Sequence, residues 1–338
     1  MIKARGLARE FRKKGRGTKP VLAVRGVDID VGQGELVGFL GPNGAGKTTT
    51  LRMLTTLLAP TAGEATIAGH DLRNHPLEVR KSIGYVAQGG GTAGESTVLE
   101  EIELQGELYG LSKQQARSRG QQLMNQLDLA ELEHRLTNTL SGGQQRRLDI
   151  VLGLVHDPGL VFLDEPSTGL DPQSRANLWE HIRRLRAQEG VTIFLTTHYL
   201  DEADALCDRI LVIDDGEIVA EGTPEDLKAR VSGDGVTVGV PTTSVEAAAE
   251  LATSLSGAHE ITTGDDSVSF RVPRGDTAMP EMLRALDTAG ISMLSAQVQR
   301  PTLDDVFLTL TGRSLRDAEH TATATQPESG SEEVEHAS

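Results

Sequence analysis

A single cysteine, Cys207, stands among 338 residues. An internal disulfide is therefore excluded, and such sparing use suits a reducing compartment. Aromatic residues are equally scarce at 3%, too few for a platform on which nucleic-acid bases stack. Positive charge is outnumbered: 33 Lys and Arg face 49 Asp and Glu, a formal net charge of −16. That balance opposes binding nucleic acid or an anionic membrane through general electrostatics, and no nucleic-acid partner is expected. Long hydrophobic runs are missing too. The best candidate, IVLGLVHDPGLVFL at 150–163, is broken by Asp157 and Pro158, so the chain is not expected to cross a bilayer alone. The basic opening MIKARGLAREFRKKG lacks the apolar core of a secretory signal.

Against these absences, hydrophobic residues reach 38%, enough for a sizeable core. Residues 1–40 alternate apolar and polar and end in ELVGFL, a buried strand running into a glycine-rich loop. KTTTLRMLTTLL at 47–58 has helical spacing and stops before Ala59-Pro60. ATIAGHD (65–71) and SIGYVAQ (82–88) read as short strands, and 97–135 carries two amphipathic helical stretches. A helix opens after Leu140, then the strand GLVFLDEP (159–166), a helix over 172–189 and the strand VTIFLTTH (191–198) follow. Strands alternating with helices predict an α/β domain with a largely parallel sheet.

Composition shifts at Val231-Ser232-Gly233-Asp234-Gly235, which places a domain boundary at 231. Beyond it the pattern predicts strand 235–240, helix 244–256, strands near 259–263 and 267–272, helix 277–288 and strand 291–299. That βαββαβ order predicts a small ferredoxin-like module. LDDVFLTLTG begins a last helix after Thr302, with Asp305 in a capping-box position. From Arg313 the sequence is Ala, Thr, Ser and Glu with almost no large apolar residue, and 315–338 reads as a disordered acidic tail.

GPNGAGKT at 41–48 fits G-x-x-x-x-G-K-[ST] between a predicted strand and a predicted helix. Glycines let the backbone curl so that several N–H groups point at phosphates, and the helix N-terminus adds positive potential. Lys47 would reach the β- and γ-phosphates and the Thr48 hydroxyl would ligate Mg²⁺. LVFLDEP ends in Asp164 and Glu165. An Asp at such a strand end helps hold Mg²⁺ in P-loop proteins, and Glu165 could polarise an attacking water. Gln88 and His198 each end a predicted strand, which alone needs no functional explanation. Their company places them where open α/β sheets bind ligands. LSGGQ at 140–144 is harder to read: Ser141 is a good N-cap and Gly142 a tight turn. Capping does not call for a second glycine, Gly143, or for Gln144, while a helix N-terminus is also an anion site.

In order, GPNGAGKT, Gln88, LSGGQ, LVFLDE, STGLD with Asp171, and His198 resemble the ATP-binding subunit of ABC transporters. The resemblance covers roughly 1–230, and PTLDDVFLTLTGR at 301–313 resembles the C-terminal extension of the daunorubicin/doxorubicin-resistance type of exporter ATPase. It implies a P-loop NTPase head over 1–230 with a helical subdomain at about 95–157, an accessory α+β domain over 231–312 and a tail over 313–338. It implies that Gly41, Pro42, Asn43, Gly44, Ala45, Gly46, Lys47, Thr48, Thr49 and Gln88 bind ATP. Phe11 is the position matching the family's adenine-stacking aromatic. Thr48, Gln88 and Asp164 would hold Mg²⁺. Glu165 would be the general base, with His198 and Lys47 beside it in catalysis.

In the family two such chains pair head to tail, so Ser141, Gly142, Gly143 and Gln144 would contact ATP held by the partner, with Asp171 in the D-loop. The expected protein is an ATPase homodimer powering export of a drug, antibiotic or other hydrophobic compound. It would act through a separate multi-span permease, at the cytoplasmic face of the membrane. The alternative is a soluble ABC-type ATPase of translation or DNA repair. Translation-type members usually carry two heads per chain, and repair-type heads are split by long coiled coils. One set of motifs and no sustained heptads occur here.

Overall fold

The computed structural model describes residues 1–11, 20–92, 94–231 and 233–312. The tail expected over 313–338 and residues 12–19 lie outside the described residues. Two compact units are present, Met1–Glu221 and Gly222–Gly312.

The first unit opens with β1 (Ile2–Phe11), β2 (Val21–Val31), β3 (Leu36–Leu40), α1 (Lys47–Leu54), β4 (Ala62–Ile67), β5 (His70–Asp71), α2 (Pro76–Ser82) and β6 (Ile83–Val86). It continues through α3 (Val98–Leu108), α4 (Lys113–Gln126), α5 (Gly142–Leu154), β7 (Leu160–Asp164), α6 (Pro172–Glu189), β8 (Thr192–Thr197), α7 (Leu200–Leu206), β9 (Arg209–Asp214) and β10 (Glu217–Gly222). A six-stranded sheet runs β10-β9-β3-β8-β7-β6. Within it β9, β3, β8, β7 and β6 pair in parallel. Every residue of β3, β7 and β8 is buried, because the sheet is covered on both faces, one of them by α1 and the strands β1, β2 and β4, and has no wet side for alternation. Phe194 of β8 lies between Phe39 and Phe162, with ring centroids 5.6 and 5.8 Å away. Because the strands are parallel, β3, β6, β7 and β8 all end on one edge, and their next residues are Gly41, Ala87, Glu165 and His198.

A separate antiparallel sheet, β2-β1-β4-β5, flanks this layer. ATIAGHD, expected as one strand, is a hairpin. Ala68 and Gly69 take positive φ, 49° and 86°, the backbone that a two-residue turn between β4 and β5 requires.

The second unit comprises α8 (Pro224–Ala229), β11 (Asp234–Gly239), α9 (Val245–Ser254), β12 (His259–Thr263), β13 (Ser267–Val272), α10 (Gly275–Thr288), β14 (Ser295–Gln299) and α11 (Leu303–Thr311). Its sheet, β12-β13-β11-β14, is antiparallel throughout, the ferredoxin-like arrangement expected from the order of elements. Val236, Val238, Val268 and Phe270 meet Ala248, Ala252, Met282 and Leu286 of the helices in one core. The boundary expected at 231 falls earlier, between Glu221 and Gly222, because α8 packs with α11 of the second unit. The last strand is shorter than expected: it starts at Ser295, not 291. Thr302 caps α11, accepting from the Asp305 N–H at 3.3 Å while its own N–H donates to Asp305 Oδ2 at 2.9 Å. Among the described residues no helix is long and apolar enough to cross a membrane.

Candidate functional site

The loop after β3 is shaped by what cannot be there. A Cβ on Gly41 would lie 2.2 Å from Ile213 O, and one on Gly46 would lie 2.6 Å from Ala23 O. Gly44 and Gly46 also take φ of 84° and 106°, open to glycine at little cost. Gly46 caps α1 with no side-chain bond, so the first N–H groups of α1 stay available to an anion.

Lys47 begins α1 but does not reach into water; it is 4% exposed. Its Nζ donates to Gly41 O at 2.8 Å and Pro42 O at 3.1 Å, and lies 3.3 Å from Glu165 Oε1. Glu165, one residue past β7, is the hub. Its Oε2 accepts from Gln88 Nε2 at 2.9 Å and Thr168 Oγ1 at 3.1 Å, with His198 Nδ1 at 3.2 Å. Burial alone would raise its pKa, but His198 and Lys47 outweigh that and hold the carboxyl down to about 2. The Glu165 backbone is left-handed, φ 44°, which costs a non-glycine residue about 1–2 kcal/mol. Its N–H is held by Thr196 Oγ1 at 3.0 Å and Thr196 O at 3.1 Å.

Asp164, the last residue of β7, is buried. Its Oδ1 accepts from Thr196 Oγ1 at 2.7 Å and Thr48 Oγ1 at 3.4 Å. Burial, joined by the neighbouring Glu165 charge, pushes its carboxyl up against the Thr196 and Thr48 hydrogen bonds. A hydroxyl and a carboxylate at one point, with the Gln88 amide nearby on Glu165, fit a hard oxygen-seeking cation. Among the described residues no group of three His, Cys, Asp or Glu forms a metal cage. Mg²⁺ binds through few protein oxygens together with phosphates, and Thr48 Oγ1 and Asp164 Oδ1 are oxygens of that kind.

Lys47, Thr48, Gln88, Asp164, Glu165 and His198 thus meet at one sheet edge. Among the described residues the hydrogen bonds of Ser141, Gln144 and Asp171 lie elsewhere, while Gly142 lines a cavity with Gln88 and Thr168. Ser141 caps α5, its Oγ accepting from the Gln144 N–H at 3.3 Å while Gln144 Oε1 accepts from the Ser141 N–H at 3.0 Å. The expectation that capping leaves Gln144 unexplained is therefore corrected: S-x-x-Q is a capping box. Gly142 is different, since a Cβ there would find nothing closer than Leu170 at 3.8 Å, and on Gly143 the Ser174 hydroxyl at 3.3 Å. Ser141 and Gly142 are exposed. Asp171 caps α6, accepting from Ser174 N at 2.9 Å and Ser174 Oγ at 2.6 Å, and these bonds lower its carboxyl pKa. Phe11 ends β1 opposite Val21, 38% exposed, with the Arg9 guanidinium 4.8 Å above its ring.

Three further residues shape the site: Thr196, Thr168 and Arg146. Arg146 is buried and bonds three main-chain carbonyls beside Gln88 and Glu165. Its spacing held the signal: residues 146, 150 and 153 share one helical face with Ile150 and Gly153, both buried. The run QQRR hid it as a polar helix start.

Residues 24–168 match the ABC transporter family. The chain is 42% identical over 296 residues to the daunorubicin resistance ATP-binding protein DrrA3 of Streptomyces coeruleorubidus, covering 87% of this chain and 92% of that protein. This chain belongs to the ABC transporter family. As an ABC ATP-binding subunit it binds and hydrolyses ATP. Another relative is the doxorubicin resistance ATP-binding protein DrrA of Mycobacterium tuberculosis, 41% identical over 304 residues, 88% of this chain and 91% of that one. Residues 222–311 match the C-terminal domain of ATP-binding proteins like DrrA1-3. Among solved structures, a dimeric ATP-binding cassette with bound ADP and Pi superposes with a TM-score of 0.60 at 27% identity. That match covers 66% of this chain and 98% of that one. The fold is accordingly the P-loop ABC cassette with a DrrA-like second unit.

Proposed function

We propose that the chain works as a homodimer at the cytoplasmic face of a membrane, powering export through a separate multi-span membrane protein. The observation that carries this reading is the division of the motifs. One cluster gathers around Glu165, while Ser141 and Gly142 stand exposed, with a glycine at 142 that its own fold does not require. Head-to-tail pairing would bring Ser141, Gly142, Gly143 and Gln144 of one copy, with Asp171 nearby, onto ATP cradled by the other.

In that arrangement residues 41–49 wrap the phosphates and Phe11 offers its exposed ring to the adenine. Thr48 and Asp164, with Gln88, would hold Mg²⁺, which neutralises charge on the phosphate oxygens. Lys47, turned onto those oxygens, would withdraw from Glu165. The largest upward influence on that carboxyl, burial, would then gain ground and make it a better proton acceptor for the attacking water. His198, beside Glu165, would orient that water and the γ-phosphate. The drug-resistance proteins among the relatives support a drug, antibiotic or other hydrophobic compound as cargo, bound by the membrane protein.

The test is a mixing experiment. Lys47→Ala and Ser141→Arg should each be inactive alone. Mixed, they should regain turnover, because the hybrid dimer keeps one site with an intact Lys47 facing an intact Ser141. No recovery on mixing, with both variants folded and dimeric, would overturn the shared site. Copurification of the tagged chain with a multi-span membrane protein checks the second half of the proposal.

A further inference from the structure

Arg146 is 7% exposed, and burying a guanidinium costs several kcal/mol unless its donors are met. All three nitrogens are met by main-chain oxygens. Nη1 donates to Ala87 O at 2.5 Å, Nη2 to Asp164 O at 2.9 Å and Nε to Pro166 O at 2.9 Å. Asp149, one turn along α5, lies 3.7 Å from Nη1 and accepts from the Gly91 N–H.

The placement of these acceptors matters more than their number. Asp164 and Pro166 flank Glu165, and Ala87 precedes Gln88. A rigid planar fork that binds Asp164 O and Pro166 O fixes the peptide plane before Glu165 and the one after Pro166, so the short stretch holding Glu165 is clamped at both ends. That is what a left-handed glutamate at φ 44° needs to persist. The same fork fixes the peptide before Gln88, whose amide bonds Glu165 at 2.9 Å. Mere filling of this space would suit an apolar side chain better.

We propose that Arg146 is a positioning residue for ATP hydrolysis. From the helix that Ser141 caps, it locks the Gln88 and Glu165 segments into one register. The proposal rests on Glu165 being the base, so its test carries a readout that does not depend on catalysis.

Arg146→Lys keeps the stem and charge but cannot span three carbonyls; Arg146→Gln keeps one amide donor, and whichever folds better carries the test. In the full chain, amide exchange should quicken by about tenfold at both 87–92 and 165–170 and stay unchanged at 41–48, as for local opening. With MgATP, kcat should fall by about tenfold or more with KM nearly constant, the pattern of an interaction made in the transition state. Adding the substitution to Glu165→Gln should slow turnover no further. Exchange that changes at only one segment, at neither, or everywhere overturns the proposal, as does an additive double variant. Wild-type turnover in Glu165→Gln would instead remove the base role from Glu165, leaving the exchange result to judge Arg146.

Discussion

At Gly41 and Gly46 a Cβ would strike backbone oxygen at 2.2 and 2.6 Å, whereas at Gly142 the nearest atom is 3.8 Å away. The first loop is built inward, with Lys47 buried and bonded to its own carbonyls. The second is built outward, capped by Ser141 and Gln144 and open above Gly142. Glycine in the first answers to this chain's own packing. Gly142 in the second meets nothing in the chain that requires a glycine, which is what the proposed contact with a partner would ask of it.

The contrast can be broken at four points. Glu165→Gln, in the inward cluster, should lower kcat by about 10²–10³-fold, roughly 2.7–4 kcal/mol of barrier. ATP binding should persist, as read by single-turnover hydrolysis beside a fluorescent-nucleotide titration. Gly41→Ala should lower unfolding stability by about 1–3 kcal/mol, the usual cost of overpacking, measured by urea denaturation. Ser141→Ala should cost about 1 kcal/mol in the same assay through loss of the cap. Gly142→Ala should fold as well as the native chain or gain about 0.5–1 kcal/mol, as alanine does for glycine within helices, yet turn over ATP more slowly. A Gly142→Ala protein as unstable as Gly41→Ala would erase the distinction between the loops.

The strands that carry the inward cluster were legible because β3, β7 and β8 are buried on both faces, so their centres are written as apolar and β-branched residues, LVGFL, LVFL and TIFL. Helix α6 was legible end to end: Asp171 caps it, Pro172 starts it and Gly190 stops it at φ 66°. The β4–β5 hairpin was not, since Ala-Gly lacks the side-chain signal that Asn-Gly would give. The boundary was drawn at the glycines after 231, yet α8 is placed by packing with α11 some eighty residues away, which no local window reveals. Gathering Lys47, Thr48, Gln88, Asp164, Glu165 and His198 at one edge follows from parallel strands, a pattern visible in their order. Arg146 was lost because its acceptors are main-chain oxygens, which leave no mark in a sequence.

The open cap at Ser141 and Gly142 carries a consequence for the cell. Under the proposed pairing each ATP site is shared between two copies, so a dilute chain would be idle. Turnover per chain would climb with protein concentration until pairing saturates, and the measured slope would report the dimer dissociation constant. Copies made in excess of their membrane partner would then remain silent and leave the nucleotide pool untouched until assembly brings two of them face to face.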